Sequence, residues 1–101
     1  MTPEKEIQKK IIAWLDENSI IYFRRQAGGG NSYRTGLPDL YGTFCGRHFE
    51  IECKQEKGKL SSAQLKWKKI FEADGTLYII GNSFENFLEA WNNFLRKVNQ
   101  H

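Results

Sequence analysis

Two acids and a lysine in the middle of the chain have the types and the spacing that a chemical step needs. Asp39 follows Pro38, and Glu52 and Lys54 are separated only by Cys53. Alternate side chains of a β-strand share a face, so Glu52 and Lys54 should point the same way. Carboxylates and a backbone carbonyl can hold Mg²⁺ or Mn²⁺, and a nearby lysine can neutralise developing negative charge. The pattern therefore indicates metal-assisted hydrolysis of a phosphate ester.

Either half of this pattern is common in proteins that have no such site. A glutamate and a lysine on one strand face are usually solvated charges, and Pro-Asp usually marks a turn. The combination is more specific, because a hairpin turning at residues 45–47 places Asp39 beside Cys53 of the next strand. We therefore expect Asp39, Glu52 and the backbone carbonyl of Cys53 to be the metal ligands. Lys54 completes the set as the catalytic lysine.

The elements that must position these residues are predicted from hydrophobic periodicity and from end signals. Helices are expected where apolar residues recur every three or four positions, and strands where β-branched and aromatic residues cluster between turns. The predicted elements are a helix (2–18), three strands (20–24, 37–44 and 47–55), a helix (61–72), a strand (76–80) and a final helix after Ser83. The order α-β-β-β-α-β-α predicts an α/β fold, with a mixed sheet flanked by helices, in one domain over residues 1–101.

Two helix starts carry specific capping signals. Thr2 can cap the first helix, and Pro3 suits the first helical position. Ser61 and Gln64 have the spacing of a capping box, in which each residue binds the other's backbone N–H. These signals fix the two helices that precede and follow the candidate site.

The last predicted helix is unusually rich in aromatic residues. Its apolar stripe consists of Phe84, Phe87, Leu88, Trp91, Leu95 and Val98. Such a stripe is typical of a helix that packs on a sheet. Phe94 lies off the stripe, which suggests apolar surface left over for a partner, so we expect a homodimer.

Composition favours one soluble domain. The chain has 101 residues, of which 40% are hydrophobic and 14% aromatic, enough for a core and unlike a disordered chain. No apolar run approaches a membrane span and the first residues do not resemble a signal peptide, so we expect no membrane association and a cytoplasmic location. Cys45 and Cys53 lack zinc-site spacing and are expected to be free, buried thiols. The net charge of +3 permits nucleic-acid binding without requiring it.

The sequence resembles the PD-(D/E)xK nuclease superfamily. Within it, three segments resemble the virus-type replication-repair nuclease (VRR-NUC) domain: Gly36-Leu37-Pro38-Asp39, Glu52-Cys53-Lys54, and Gly58-Lys59-Leu60-Ser61 with Gln64 following. The predicted element order is also that of the family's core, and the resemblance covers nearly the whole chain. It implies a restriction-endonuclease-like fold, Mg²⁺ or Mn²⁺ as cofactor and structure-selective cleavage of DNA. Standalone members are found in phages and bacteria, resemble archaeal Holliday junction resolvases and often form homodimers.

The family also places an acid of the first helix near the metal, and Glu4 and Glu6 are the two candidates. At about 100° per residue, Glu4 lies with Ile7 and Ile11 on the inward face, whereas Glu6 lies roughly opposite. The family's acid three residues before an apolar position also fits Glu4. We therefore expect Glu4 to act at the metal, directly or through water. The alternative is a first-turn acid that only stabilises the helix dipole.

Gln64 has two interpretations. As the partner of Ser61 in a capping box, it is a structural residue. Its match to the family glutamine implies that it also reaches the active site, where it would hold a water or a phosphate.

Basic residues near the site are candidates for contacts with DNA phosphates: Arg24, Arg25, Arg34, Lys57 and Lys59. The arginines surround a glycine run at 28–30, which lacks the Gly-Lys-Ser/Thr ending of a P-loop and is interpreted as a loop beside the active site. The lysines lie in the turn before the second helix. The alternative for each residue is a solvated surface cation.

The function that we expect is a divalent-metal-dependent DNA endonuclease acting on a branched substrate, either a Holliday junction or a flap. One alternative is a non-catalytic nucleic-acid-binding module that keeps the fold. Another is an accessory subunit of a phage or repair complex, with weak DNA binding and no metal site. The complete set of two acids and a lysine favours the nuclease, because a site that has lost its chemistry has no physical reason to keep three convergent charges.

Overall fold

A four-stranded sheet with helices packed against it organises the structure, a computed structural model that describes residues 2–25 and 35–98. The elements are α1 (Pro3–Glu17), β1 (Ile21–Arg24), β2 (Leu40–Phe44), β3 (Arg47–Cys53), α2 (Ser62–Ala73), β4 (Leu77–Gly81) and α3 (Phe84–Val98). The predicted α/β class, with a mixed sheet flanked by helices, is confirmed. The glycine run at 28–30 and Arg34, interpreted above as a loop and a DNA contact, lie outside the described residues.

The strand order is β1-β2-β3-β4, with antiparallel pairing except between β3 and β4, which are parallel and joined through α2. The β2–β3 hairpin closes on the pair Phe44 and Arg47. Between them Cys45 and Gly46 have φ angles of 52° and 76°. A two-residue turn with both φ angles positive matches the right-handed twist of the flanking strands. This turn sets the register that brings the start of β2 to the end of β3.

The predicted helix starts are confirmed by hydrogen bonds. The Thr2 hydroxyl accepts from the Lys5 backbone N–H at 3.2 Å. Ser61 and Gln64 form both bonds of a capping box, with backbone-to-side-chain distances of 2.7 and 3.1 Å. Both helices therefore begin at fixed points beside the sheet.

Two predicted strands are shorter in the structure. The strand predicted over 37–44 begins only at Leu40, so Asp39 lies just ahead of β2 and not within it. Pro38 has no N–H to give to a strand ladder, and its carbonyl instead accepts from the Arg25 guanidinium at 2.9 Å. The strand predicted over 47–55 ends at Cys53, which leaves Lys54 just beyond β3.

One face of the sheet packs on α1 and α3 and forms the apolar core. Ile11 and Leu15 of α1 and Phe87 and Trp91 of α3 are buried there. From the sheet, Phe49 meets the Trp91 ring edge-on, with centroids 5.2 Å apart. The expectation that Phe49, Ile51 and Cys53 point into the core is confirmed, since all three are buried.

The opposite face of the sheet is covered by α2 and is chemically different. Phe71 of α2 packs on Tyr78 and on the His48 ring, and Trp67 continues the aromatic row. Polar side chains share this face, and among them Glu50 and Glu52 are buried. Strand β3 is therefore buried on both sides along its second half, and its glutamates are not on a solvated face.

The aromatic surplus of α3 is used inside the domain. Phe94 is only 5% exposed and packs against Trp91 and Phe44. The expectation that Phe94 provides exposed apolar surface for a partner is wrong, because its ring packs against Phe44 inside the domain. The expected homodimer loses that support and stays a prediction.

The sequence also predicted that no helix spans a membrane and that both cysteines are free, buried thiols. None of the helices in residues 2–25 and 35–98 combines the length and the apolar character that a membrane span requires. Both thiols are free, with Cys53 buried and Cys45 exposed. The expectation of a buried thiol is wrong for Cys45, because this residue occupies the hairpin turn.

Gly36, two residues before Pro38, holds the segment ahead of β2 against the start of α2, and its replacement tests that contact. Its φ is +93°, and an added Cβ would lie 2.6 Å from the Ala63 carbonyl carbon. We expect Gly36→Ala to lower the free energy of unfolding by about 3 kcal/mol or more, from backbone strain and a clash.

Gly46→Ala is the matched control, because Gly46 also has a positive φ of +76° but nothing within 4 Å of an added Cβ. It should cost only the left-handed backbone penalty of about 1 kcal/mol. Urea unfolding of both variants measures the difference. Equal losses would show that the close approach of Gly36 to α2 does not constrain the fold.

Candidate active site

Glu52 lies on the inner strand β3 and turns its side chain toward α2. It is 2% exposed. Gln64 donates a hydrogen bond from its side-chain amide to Glu52 Oε1. The second oxygen, Oε2, is buried and finds no hydrogen-bond partner among the described residues. A buried carboxylate oxygen without a partner is costly and marks a place where a cation, a proton or a water would be stabilised.

The environment of Glu52 favours its protonated form. Burial comes first and the negative charge of Asp39 second, and together they raise the pKa of Glu52 from 4.5 to about 8, against a smaller opposing effect of Lys54. A carboxyl group with such a pKa holds its proton near neutral pH unless a positive charge arrives. Perturbed acids of this kind are concentrated at functional sites, although structural networks also produce them.

Asp39 lies next to this carboxylate because of the hairpin register. Leu40 is opposite Ile51, so Asp39 falls beside the end of β3. Its Oδ2 accepts a hydrogen bond from the Cys53 backbone N–H at 3.1 Å. The predicted proximity of Asp39 to residue 53 is therefore present in the structure. Two acids, one just ahead of β2 and one on β3, meet where β3 ends.

Cys53 and Lys54 complete this end of the strand. The Lys54 backbone N–H donates to the Gly81 carbonyl at 3.1 Å, which continues the β3–β4 pairing past the last residue of β3. Burial, followed by the negative charges of Asp39 and other acids, raises the pKa of the Cys53 thiol well above its usual range. The thiol stays protonated and is no nucleophile, so any contribution of Cys53 comes from its backbone.

A cleft of about 890 Å³ opens beside Asp39 on the side of α1. It is lined by Thr2, Glu4, Lys5, Gln8, Arg24, Arg25, Asp39 and Cys53. Glu4 is half-buried at the cleft, whereas Glu6 is exposed. The structure thus places Glu4, and not Glu6, on the side of Asp39. Glu52 is not part of the cleft wall, because its side chain points to the opposite face of the sheet.

Gln64 combines the two interpretations that the sequence left open. Its side-chain oxygen accepts from the Ser61 backbone N–H at 2.7 Å, as in a capping box. Its amide nitrogen faces the other way and donates to Glu52. One amide group therefore caps α2 and fixes the orientation of the buried carboxylate.

The predicted DNA contacts are distributed unevenly. Arg24 lines the cleft, whereas Lys57 and Lys59 are exposed in the turn before α2. Lys5 and Gln8 also line the cleft and were not anticipated. The sequence does contain a signal for Gln8, because it follows Glu4 by one helical turn and so lies on the same helix face as Glu4.

Arg25 does not have the surroundings of a simple phosphate contact. Its guanidinium forms a fork with Glu50 Oε1 and Oε2, at 2.5 and 3.1 Å. Glu50 is fully buried and also contacts the His48 ring. Sequence reasoning missed Glu50, because its alternation with Glu52 resembles a solvated strand face.

The geometry of the acids limits how a metal could be held. In the described part of the chain, no three His, Cys, Asp or Glu side chains are close enough to enclose a metal ion. Asp39 and Glu52 lie close together, and Glu4 lines the cleft with Asp39 but not with Glu52. An ion here would need ligands from the backbone, from water or from substrate in addition to the two carboxylates.

The pH dependence of folding tests the buried state of Glu52. Because the folded-state pKa is raised from 4.5 to about 8, the stabilisation is complete below pH 4.5 and is lost as the pH rises to about 8. Glu52→Gln removes this loss while keeping an acceptor for Gln64. In EDTA, the stability of wild type relative to Glu52→Gln should fall by up to about 1.4 kcal/mol per pH unit across that window.

Urea unfolding of both proteins at several pH values between 4.5 and 8.5 measures this difference. Glu56→Gln, at an exposed position after β3, serves as the control for loss of a surface carboxylate. A difference between wild type and Glu52→Gln that is constant with pH would show that Glu52 titrates as an ordinary acid.

Comparison with known proteins found no matching protein-family model and no curated protein that is similar at a significant level. The interpretation of the site therefore rests on its geometry and chemistry.

Proposed function

We propose that the protein is a Mg²⁺- or Mn²⁺-dependent DNA endonuclease with a restriction-endonuclease-like core. The observation that carries the proposal is the pair of carboxylates at the end of β3. Burial and the nearby charge of Asp39 raise the pKa of Glu52. Glu52 Oε2 has no hydrogen-bond partner in the described residues. Lys54 follows directly after the end of β3. This is the arrangement that metal-assisted phosphodiester hydrolysis requires.

The residues present fit a hard divalent cation. Carboxylate oxygens are the ligands that Mg²⁺ and Mn²⁺ prefer, and two of them leave positions open for water and phosphate. We assign Asp39 and Glu52 as direct ligands, the Cys53 carbonyl as the third, and Glu4 as a residue that acts through water. A bound cation would also satisfy the orphaned Glu52 Oε2, in the way that buried polar atoms are normally satisfied.

The metal would polarise the phosphate and lower the pKa of a bound water. Around it, the side chains have separate tasks. Lys54 stabilises the negative charge that develops on the phosphate oxygens. Gln64 keeps the Glu52 carboxylate oriented through the hydrogen bond to Oε1. Hydrolysis adds water across one P–O bond, so that one strand end keeps the phosphate and the other leaves as a hydroxyl.

Recognition of DNA is assigned to phosphates. Arg24 and Lys5 face the same cleft as Asp39, while Lys57 and Lys59 are exposed before α2. Such cations can follow a nucleic-acid backbone without reading bases. We therefore propose a substrate chosen by shape, such as branched DNA. Resolving a four-way junction requires two cuts and therefore two active sites. For that substrate, we also propose that the protein acts as a homodimer.

Cleavage assays on labelled DNAs test the proposal. The panel contains duplex, single strand, 5′ flap, 3′ flap, splayed arms and a four-way junction, each with Mg²⁺, Mn²⁺ or EDTA. We expect metal-dependent cutting that Asp39→Asn abolishes and that Lys54→Ala reduces by about 10²- to 10³-fold in kcat. Lys66→Ala, an exposed lysine on α2, should leave cutting unchanged.

Retained DNA binding without cutting under any of these conditions would contradict the nuclease and favour a non-catalytic nucleic-acid-binding module. Cutting that persists in Asp39→Asn would place the active site elsewhere in the chain.

Glu4 and Glu6 provide a matched pair in the first turn of α1. Both are acids near the same helix end, but Glu4 lines the cleft with Asp39 and Glu6 is exposed. Their shared interaction with the helix dipole should change stability by similar, small amounts. We expect Glu4→Gln to raise the Mn²⁺ concentration needed for half-maximal cutting by about 10-fold or more. Glu6→Gln should leave this concentration unchanged, and equal effects would remove Glu4 from the site.

A further inference from the structure

A second buried carboxylate lies next to the proposed site without belonging to it. Glu50 is 0% exposed, on the same face of β3 as Glu52. Its oxygens are occupied by the Arg25 guanidinium, at 2.5 and 3.1 Å, and by the His48 ring. With both oxygens engaged by protein groups, Glu50 does not offer a ligand position to a metal. The role of Glu50 must therefore come from the side chains that it binds, Arg25 and His48.

Arg25 connects Glu50 to the segment that carries Asp39. The same Nη1 that binds Glu50 also donates to the Pro38 carbonyl at 2.9 Å. The Arg25 backbone N–H donates to the Asp39 carbonyl at 2.9 Å. One residue therefore binds two successive carbonyls, from its side chain and from its backbone. Both contacts are made just before β2 begins.

We infer that Arg25, held by Glu50, is a positioning residue that fixes the Pro38-Asp39 segment so that the Asp39 carboxylate faces Glu52. The inference rests on the proposed function, because Asp39 is there a metal ligand. Asp39 precedes the strand, and only the backbone N–H of Arg25 continues the β1–β2 pairing to it among the described residues. Loss of the Arg25 side chain would remove the contact to the Pro38 carbonyl and leave Asp39 with its two bonds to backbone N–H groups, from residue 25 and from Cys53.

The chemistry of the pair favours positioning over stability. A buried ion pair usually contributes little net stability, since desolvation offsets the attraction, and apolar side chains of similar size often serve as well. A guanidinium differs in presenting several donors in one rigid plane. Arg25 uses this plane to bind Glu50 and Pro38 together while its flat side lies 4.2 Å from the centre of the Tyr41 ring. A lysine offers one nitrogen and cannot make these contacts at once.

The competing assignment is that Arg25 contacts a DNA phosphate directly. Arg25 lines the cleft and its side chain is 26% exposed. Arg24, the next residue, lines the same cleft and is exposed. Substituting each of the two adjacent arginines distinguishes the two roles. Loss of a positioning residue changes the metal site, whereas loss of a phosphate contact changes DNA binding.

Three variants test the inference in the full chain: Arg25→Lys, the double variant Arg25→Met with Glu50→Leu, and Arg24→Lys as the matched control. The double variant replaces the ion pair by apolar side chains and is designed to fold. Two readouts are independent of cleavage. Calorimetry with Mn²⁺ measures metal affinity, and hydrogen exchange measured by NMR reports on the Cys53 amide that donates to Asp39.

We expect Arg25→Lys and the double variant to weaken Mn²⁺ affinity by about 10- to 100-fold, as removal of a residue that orients a ligand does. Exchange at the Cys53 amide should become about 10-fold faster in both, since its acceptor is no longer held. Arg24→Lys should leave both readouts at wild-type values and raise KM for DNA instead.

Wild-type Mn²⁺ affinity and wild-type exchange in either folded Arg25 variant would overturn the inference. A rise in KM for DNA like that of Arg24→Lys, without a change in Cys53 exchange, would also overturn it and assign Arg25 to phosphate. If the double variant does not fold, Arg25→Lys decides alone. Wild-type protein that binds no Mn²⁺ and cuts no DNA would refute the proposed function, while Cys53 exchange would still show whether Arg25 positions Asp39.

Discussion

The carboxylate of Glu52 lies in the interior on an inner strand, beside a second acid. Such a group destabilises a fold unless each oxygen has a partner, and here only Oε1 has one in the described residues. The stability lost at this point must be supplied elsewhere, and the opposite face of the sheet provides it. Phe49, Phe87 and Trp91 are all buried there in edge-on and tilted contacts. The molecule therefore separates its tasks by face, with apolar packing on one side of β3 and charge on the other.

The connection through α2 makes this separation possible. Because β3 and β4 are parallel, a crossover connection must run between them over one face of the sheet. Helix α2 forms this connection on the face that carries Glu50 and Glu52. Gln64 lies in the first turn of this helix, and its side-chain amide reaches Glu52. Burial raises the pKa of this carboxyl, and the hairpin register supplies the neighbouring charge of Asp39. The unusual acid is thus a product of topology as much as of residue type.

The elements, their caps and the place of Asp39 beside residue 53 followed from periodicity, from capping residues and from a tight turn, all of which are local signals. Two features did not follow. Glu50 alternates with Glu52 as solvated residues do, yet both are buried, and their partners Arg25 and Gln64 come from distant parts of the sequence. Arg25 reads as a surface cation next to a glycine run, and its pairing with Glu50 depends on where β1 lies relative to β3. Contacts between elements that are distant in sequence leave no local pattern, so single-sequence reasoning had no means of finding them.

Each residue of the candidate site comes from a different part of the chain. Glu4 is on α1, Asp39 precedes β2, Glu52 is on β3 and Gln64 is on α2. Closing such long loops is slow compared with forming a helix or a hairpin, so these residues meet only late in folding. The β2–β3 hairpin can form early and bring the two acids together, yet without α2 the Glu52 carboxylate would lack its Gln64 partner and would be more hydrated. Whatever the site does, it is acquired only when folding is complete, and a nascent or partly unfolded chain does not have it.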